Sequence, residues 1–163
     1  MNPRLQFALP SIACAGLLGF GFFLQYGNGL EPCPLCLVQR AFFLLVLVVF
    51  AIAAAHNPER TGRVLYSFFG FLFALGGGAV AARQVWLQHL PPDQVPACGP
   101  DLYYMLENLP IGRTVEKLFT ASGQCAVVDW TFLGLSIAEW SLAWFVALTL
   151  YALWLAFSAP PQP

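Results

Sequence analysis

Four stretches of this chain are apolar on every face and nearly free of charge: residues 7–26, 37–55, 64–82 and 141–157. Arg40 is the one ionised side chain within them. Each approaches the roughly 20 residues a helix needs to cross a hydrocarbon core. Lipid leaves open backbone groups without partners, so these segments must be helical. The expected architecture is an all-α membrane protein, a bundle of four transmembrane helices forming a single membrane domain over residues 1–163. Composition supports this by exclusion. The chain is 59% hydrophobic and 9% charged, against about 25% charged in an ordinary soluble domain. Eight acids and seven bases cannot make the polar shell of a soluble enzyme. Disorder needs low hydrophobicity and high charge. A net charge of −1 with no basic cluster speaks against nucleic-acid binding. Arg4 before an apolar run resembles a secretory signal, but the run is long and no Ala-x-Ala site follows Tyr26. It reads as a retained span.

Basic residues near span ends set orientation. Arg4, Arg60 and Arg63 share one side with both termini, which is read as cytoplasmic. The other side holds loops at about 27–36 and 83–140. There Glu31, Asp93, Asp101, Glu107, Glu116, Asp129 and Glu139 outnumber Arg83, Arg113 and Lys117. Trp86, Trp130, Trp140 and Trp154 fall near span boundaries, where membrane-interface anchoring explains them. Any four-span topology puts Cys33, Cys36, Cys98 and Cys125 on one side. The orientation makes that the non-cytoplasmic side, where disulfides persist. Cys14 alone lies inside a span and reads as a small buried apolar side chain.

Glu31-Pro32-Cys33-Pro34-Leu35-Cys36 is the first chemical motif. C-x-x-C brings two thiols within reach of a reversible disulfide. Cys36 stands at the start of a long helix, whose positive end favours thiolate. Arg40 follows one turn deeper on the same face. Snorkelling to the interface would account for it. The sharper reading is that Arg40 neutralises an anion formed beside Cys36, because a guanidinium inside a span needs a reason. C-x-x-C also serves zinc sites, haem attachment and structural crosslinks. Haem attachment wants His after the second cysteine, and Leu37 stands there. Zinc wants a second closely spaced pair, and 26 residues separate Cys98 from Cys125.

Pro91-Pro92, Pro96 and Cys98-Gly99-Pro100 exclude regular structure around Cys98. Ala121-Ser122-Gly123-Gln124 before Cys125 is also turn-prone. Both cysteines are therefore expected on flexible segments, with Cys98 the more exposed. Leu102, Met105, Leu106 and Leu109 recur at helical spacing, as do Val115, Leu118 and Phe119. They predict short amphipathic interfacial helices in the second loop. His89, just past the third span, lies at the membrane level of the first motif and could serve an acceptor site by hydrogen bonding or proton transfer. Gly76-Gly77-Gly78 permits close helix approach or a kink. The scattered acids read as solvated.

Taken together, the four spans, the Glu-Pro-Cys-Pro-Leu-Cys motif with Arg40, and the later Cys98 and Cys125 resemble the disulfide bond formation protein B (DsbB) family. The run Phe119-Thr120-Ala121-Ser122-Gly123-Gln124-Cys125-Ala126, then Trp130, Phe132-Leu133-Gly134-Leu135 and Trp140, is similar to the family's signature before the fourth span. The Pro-Ala-Cys-Gly-Pro run around Cys98 fits as well. The resemblance implies a bacterial inner-membrane enzyme with its redox cysteines on the periplasmic side. A reduced periplasmic thiol oxidase of the DsbA kind would attack Cys98 in a Cys98–Cys125 disulfide. The Cys33–Cys36 disulfide would reoxidise the resulting dithiol. Cys36 would pass the electrons to ubiquinone or menaquinone. Arg40 matches the family's quinone-site arginine and His89 a nearby histidine, a role Arg83 could share. Quinone itself comes from the resemblance and not from the residues.

Two rival classes remain at this level. A vitamin K epoxide reductase-like protein also combines four spans, C-x-x-C and quinones, but a C-x-x-C ahead of the second span disfavours it. A non-enzymatic membrane protein, stapled by two disulfides or binding a metal, would make Arg40 incidental.

Overall fold

The computed structural model describes residues 3–158 apart from 101 and 121. Asp101, Ala121 and the tail beyond residue 158, all part of the sequence reading, lie outside them. In chain order the helices are α1 (Pro3–Asn28), α2 (Pro34–His56), α3 (Arg60–Gln88), α4 (Leu102–Asn108), α5 (Ile111–Thr120) and α6 (Ile137–Phe157). Helices α1, α2, α3 and α6 are long and apolar enough to cross a membrane. The chain is a multi-pass membrane protein built on a four-helix bundle.

Each long helix outruns its apolar stretch, because backbone hydrogen bonding continues past the hydrocarbon until a stop signal intervenes. α2 starts three residues before the predicted span. Cys33 is its extended N-cap, Pro34 occupies the first turn, and the Cys33 sulfur accepts the Cys36 N–H at 3.4 Å. At its far end Asn57 is left-handed (φ 48°) and its N–H reaches Ala53 O. α3 continues through Arg83 and Gln84 to Gln88 and is capped by His89. Pro91 and Pro92, which have no amide hydrogen, follow after Leu90. α6 opens on a capping box. The Ser136 hydroxyl accepts the Glu139 N–H at 3.3 Å, and Glu139 Oε2 accepts the Ser136 N–H at 2.7 Å.

The bundle core joins all four long helices through Phe7, Cys14, Phe43, Phe50, Ala74, Phe145 and Leu148. The Phe43 and Phe145 rings stack with centroids 4.0 Å apart. The α3 glycines serve close approach. A Cβ on Gly77 would strike the Phe145 ring, and one on Gly76 would meet Phe42 at 2.8 Å. Away from the cysteines, Arg63 is folded inward and is only 6% exposed. Its Nη2 donates to Gln6 Oε1 at 2.7 Å, so it is not an open interfacial cation.

The second loop carries more order than its turn-prone sequence suggests. α4 and α5 confirm the two predicted short helices, and Met105 and Leu118 are their buried contacts. A 3-10 turn (Gly123–Ala126) packs beneath them against α3. The segment around Cys98 forms no regular strand, but Cys98 makes an isolated antiparallel bridge with Ser122. The Gly123 N–H also reaches Ala97 O at 3.4 Å. A two-residue hairpin, β1 (Thr131–Phe132) with β2 (Leu135–Ser136), was not foreseen. Its turn residues Leu133 (φ 54°) and Gly134 (φ 80°) are both left-handed. Asn-Gly would have announced such a turn, whereas Leu-Gly does not.

Candidate functional site

The site is assembled where the α2 head, the α3 end and the 3-10 turn meet. A small apolar cluster of Leu35, Val80, Leu87, Leu118 and Cys125 holds them together, with Cys33 packed against it. The α2 cap fixes the first pair. With Pro34 setting the helix entry, Cys33 and Cys36 fall on the same first turn with their sulfurs 3.0 Å apart. Both side chains are half-buried thiols.

Cys125 is 1% exposed. Its sulfur lies close enough to Cys33 to govern its titration. The Cys33 thiol is pushed up to about 12, first by the contact with Cys125 and also by burial, against a lowering contribution from Cys36. Cys98, by contrast, is exposed. Its segment is pinned beside the 3-10 turn, where the Gly99 N–H also donates to Gln124 Oε1 at 3.3 Å. Gly123 is required there, because a Cβ would collide with the Pro96 carbonyl oxygen.

Arg40 reaches across to α1. Its Nη1 donates to Gln25 Oε1, its Nη2 donates to Gly21 O at 2.9 Å, and its guanidinium sits 5.3 Å from the Phe22 ring centre. Among the described residues, then, the charge meets an amide and a carbonyl and no carboxylate. His89 is exposed. Its Nδ1–H donates to Val85 O at 2.8 Å, and its Nε2 lies 3.8 Å from Glu139 Oε1. That leaves Nε2 turned towards the head of α6. Arg83 is occupied elsewhere, donating to Phe119 O at 2.9 Å and lying 4.2 Å from the Trp86 ring centre. Cys14 is fully buried in the bundle, away from the other thiols.

Two residues beside the sulfurs escaped the sequence reading. Gln84 Nε2 donates to Cys36 Sγ at 3.2 Å and to Cys33 Sγ at 3.4 Å. Gln39 Nε2 donates to Gln84 Oε1 at 2.6 Å. Both glutamines are 3% exposed. The available signal was an amide inside an apolar span. Attention to charge alone passed over Gln39, and ending the third span at residue 82 left Gln84 in the loop.

A quinone head group is a flat conjugated dione ring with two carbonyl acceptors, and it becomes aromatic only on reduction. The groups on offer are the half-buried Cys36 sulfur at the head of α2, the Arg40 guanidinium, held against Gln25 and Gly21, and the exposed His89 imidazole, turned towards Glu139. Cys36, Arg40 and His89 are the residues that could hold such a group.

Comparison with known proteins places nearly the whole chain in one family. The family model for disulfide bond formation protein DsbB matches residues 3–155. A disulfide bond formation protein B from Hahella chejuensis is 53% identical over 163 residues, covering 100% of this chain and 97% of that protein. One from Azoarcus sp. is 48% identical, covering 96% and 93%. Disulfide bond formation protein B 1 of Pseudomonas aeruginosa is 48% identical, covering 90% of each chain.

Proposed function

The chain belongs to the disulfide bond formation protein B family, and from that membership we propose how its four outer thiols work. The protein is a membrane disulfide oxidoreductase. In the proposed route it sits in a bacterial inner membrane with both termini cytoplasmic and Cys33, Cys36, Cys98 and Cys125 facing the periplasm. A reduced DsbA-like thiol oxidase docks from the periplasm, and its thiolate attacks Cys98 of a Cys98–Cys125 disulfide. One S–S bond breaks and one forms at each exchange. Cys125, released as a thiolate, lies beside Cys33 and attacks the Cys33–Cys36 disulfide. The electron pair then rests on the Cys36 sulfur. When bound there, ubiquinone or menaquinone supplies a two-electron acceptor that regenerates the disulfides. Arg40 would hold and polarise a carbonyl of the bound acceptor, and His89 would supply a group able to handle its proton.

The observation that carries this reading is the placement of the sulfurs, with buried Cys125 standing between the exposed Cys98 and the half-buried helix-head pair. Cys98 is open to solvent, Cys125 is buried against Cys33, and Cys36 stands at the head of a membrane span. That is the order an electron pair would follow from a soluble donor to a lipid-soluble acceptor. Family membership sets aside the vitamin K epoxide reductase-like alternative.

The test is quinone reduction by the purified protein in lipid nanodiscs, driven by a reduced DsbA-like partner. The wild type is expected to turn over. Arg40→Met is expected to raise the quinone KM on the order of tenfold, the scale of one lost hydrogen bond from a charged donor, with partner attack at Cys98 unchanged. Absence of wild-type turnover with a competent partner overturns the route. Equal loss of quinone use and partner attack in Arg40→Met removes the role given to Arg40.

A further inference from the structure

Among the described hydrogen bonds, the side-chain partners of the Cys36 sulfur are the Cys33 thiol and the Gln84 amide. No cation donates to it among the described hydrogen bonds. Arg40 directs both of its described donors to α1. A sulfur that must accept an electron pair at this depth therefore has a neutral donor beside it.

We propose that Gln84 is a catalytic residue that receives the leaving thiolate on Cys36, and that Gln39 is the positioning residue that fixes its amide. The inference rests on the exchange route proposed above and adds to it the group that selects the leaving sulfur. When the Cys125 thiolate attacks Cys33, the Cys33–Cys36 bond breaks and a Cys33–Cys125 bond forms. The attacker's negative charge reappears on Cys36. Gln84 meets that charge without rearrangement, because its Nε2–H already points at Cys36 Sγ from 3.2 Å. Its other atom serves the protonated state, since the Cys36 S–H can donate to Oε1 at 3.5 Å. Cys33 receives only the longer contact, at 3.4 Å from Nε2. The amide thus faces Cys36 with both polar atoms and Cys33 with one, which favours Cys36 as the leaving sulfur.

Gln39 supplies the direction. An unbraced amide could rotate and present its oxygen to the thiolate, which would be repulsive. The Gln39 Nε2–H bond to Gln84 Oε1, at 2.6 Å, opposes that flip. Both side chains are buried, so water cannot substitute cheaply for either bond. A neutral donor also avoids bringing a second buried charge to the site.

The experiment uses the full-length reduced protein in nanodiscs. Iodoacetamide alkylation of each cysteine is followed by mass spectrometry between pH 7 and 9, with Cys98 as the internal reference. Gln84→Leu is expected to slow Cys36 about tenfold and to move its rate profile to higher pH, with Cys98 unchanged. Gln84→Glu keeps the size of the side chain but sets a carboxylate against the sulfur. It is expected to slow Cys36 as well, where a packing role would leave the wild-type rate. Gln39→Leu is expected to slow Cys36 by about threefold, the scale of a braced against an unbraced neutral hydrogen bond. A wild-type Cys36 rate in folded Gln84→Leu overturns the proposal. If that variant loses its helical signal, a wild-type Cys36 rate in Gln39→Leu overturns it instead. Wild-type quinone reduction, measured in parallel, tests the proposed route by itself. Its absence sinks that route, while the alkylation rates still decide whether Gln84 supports the Cys36 thiolate.

Discussion

The two cysteine pairs are held by opposite means. Cys33 and Cys36 are set by a helix start: an N-cap, a proline in the first turn and a buried amide pair from α2 and α3. Their separation is built into one turn of backbone. Cys98 and Cys125 come from separate segments that are joined, among the described residues, by an isolated bridge and by hydrogen bonds of 3.4 and 3.3 Å. One of these sulfurs is open and the other is sealed against the bundle. The difference teaches that the pairs are suited to different work. A pair fixed within one helical turn can open and close without moving the membrane domain. A pair joined across two loops can part, because few contacts oppose it. In the proposed route the loop pair exchanges with the soluble partner and the helix-head pair with the electron acceptor.

The largest test of this division uses an electron donor that needs no docking. Cys98→Ser is expected to lower partner-driven quinone reduction by about 10⁴-fold or more, the scale of a lost nucleophile or its equivalent. Dithiothreitol, which can reach the half-buried Cys33 directly, is expected to keep driving Cys98→Ser. Cys36→Ser is expected to fail with either donor. Assaying both variants with both donors gives the four rates required. Equal failure of Cys98→Ser with dithiothreitol would erase the distinction between the pairs.

A middle-sized effect is expected from Gly123→Ala. Its new Cβ collides with the Pro96 carbonyl oxygen and forces the Cys98 segment away from the 3-10 turn. The strain is about 1–3 kcal/mol, in line with overpacking elsewhere. Partner-driven turnover is expected to fall roughly tenfold, and dithiothreitol-driven turnover to fall by less than twofold, by the rate equivalence of such energies. A matched fall with both donors would mean that the loop supports the helix-head pair as well, and that the two regions are not independent.

Much of this arrangement was legible in the sequence, for identifiable reasons. Lipid imposes one rule on backbone, so 7–26, 37–55, 64–82 and 141–157 announced four helices without help from periodicity. Leu102 and Met105, and then Val115 and Leu118, announced α4 and α5 because a surface helix must alternate its faces. The cysteine spacing drew attention to both pairs. What stayed hidden was set by contacts between distant segments. Nothing local to Gln84 says that it meets Cys36, 48 residues away. The burial of Cys125 depends on α3 and the α2 head, so its turn-prone neighbours gave the wrong impression of a loose segment. Arg40 was noticed for its charge, but its turn towards Gly21 and Gln25 depends on where α1 packs.

The smallest expected effect concerns the proton on Cys33, and it separates the regions thermodynamically. In the folded, reduced protein its thiol is raised from 9.0 to about 12 by Cys125 and by burial. Folding therefore tightens the hold on that proton. Above about pH 9 the unfolded chain carries fewer protons at this site than the folded one, so unfolding gains on folding as pH rises. The contribution of the neutral thiol is fully present below pH 9 and is lost progressively between pH 9 and about pH 12. Thermal unfolding of the reduced protein is expected to decline more steeply over that window in the wild type than in Cys33→Ser. By pH 10 the excess is about 1 kcal/mol, or about 2–4 °C for a chain of this size. Cys98→Ser is expected to follow the wild-type curve, since it leaves the buried contact between Cys33 and Cys125 in place. If Cys98→Ser flattened the alkaline decline and Cys33→Ser did not, the buried contact between Cys33 and Cys125 could not be what couples the loop to the helix head. The division between a fixed pair and a separable one would then need a different physical basis.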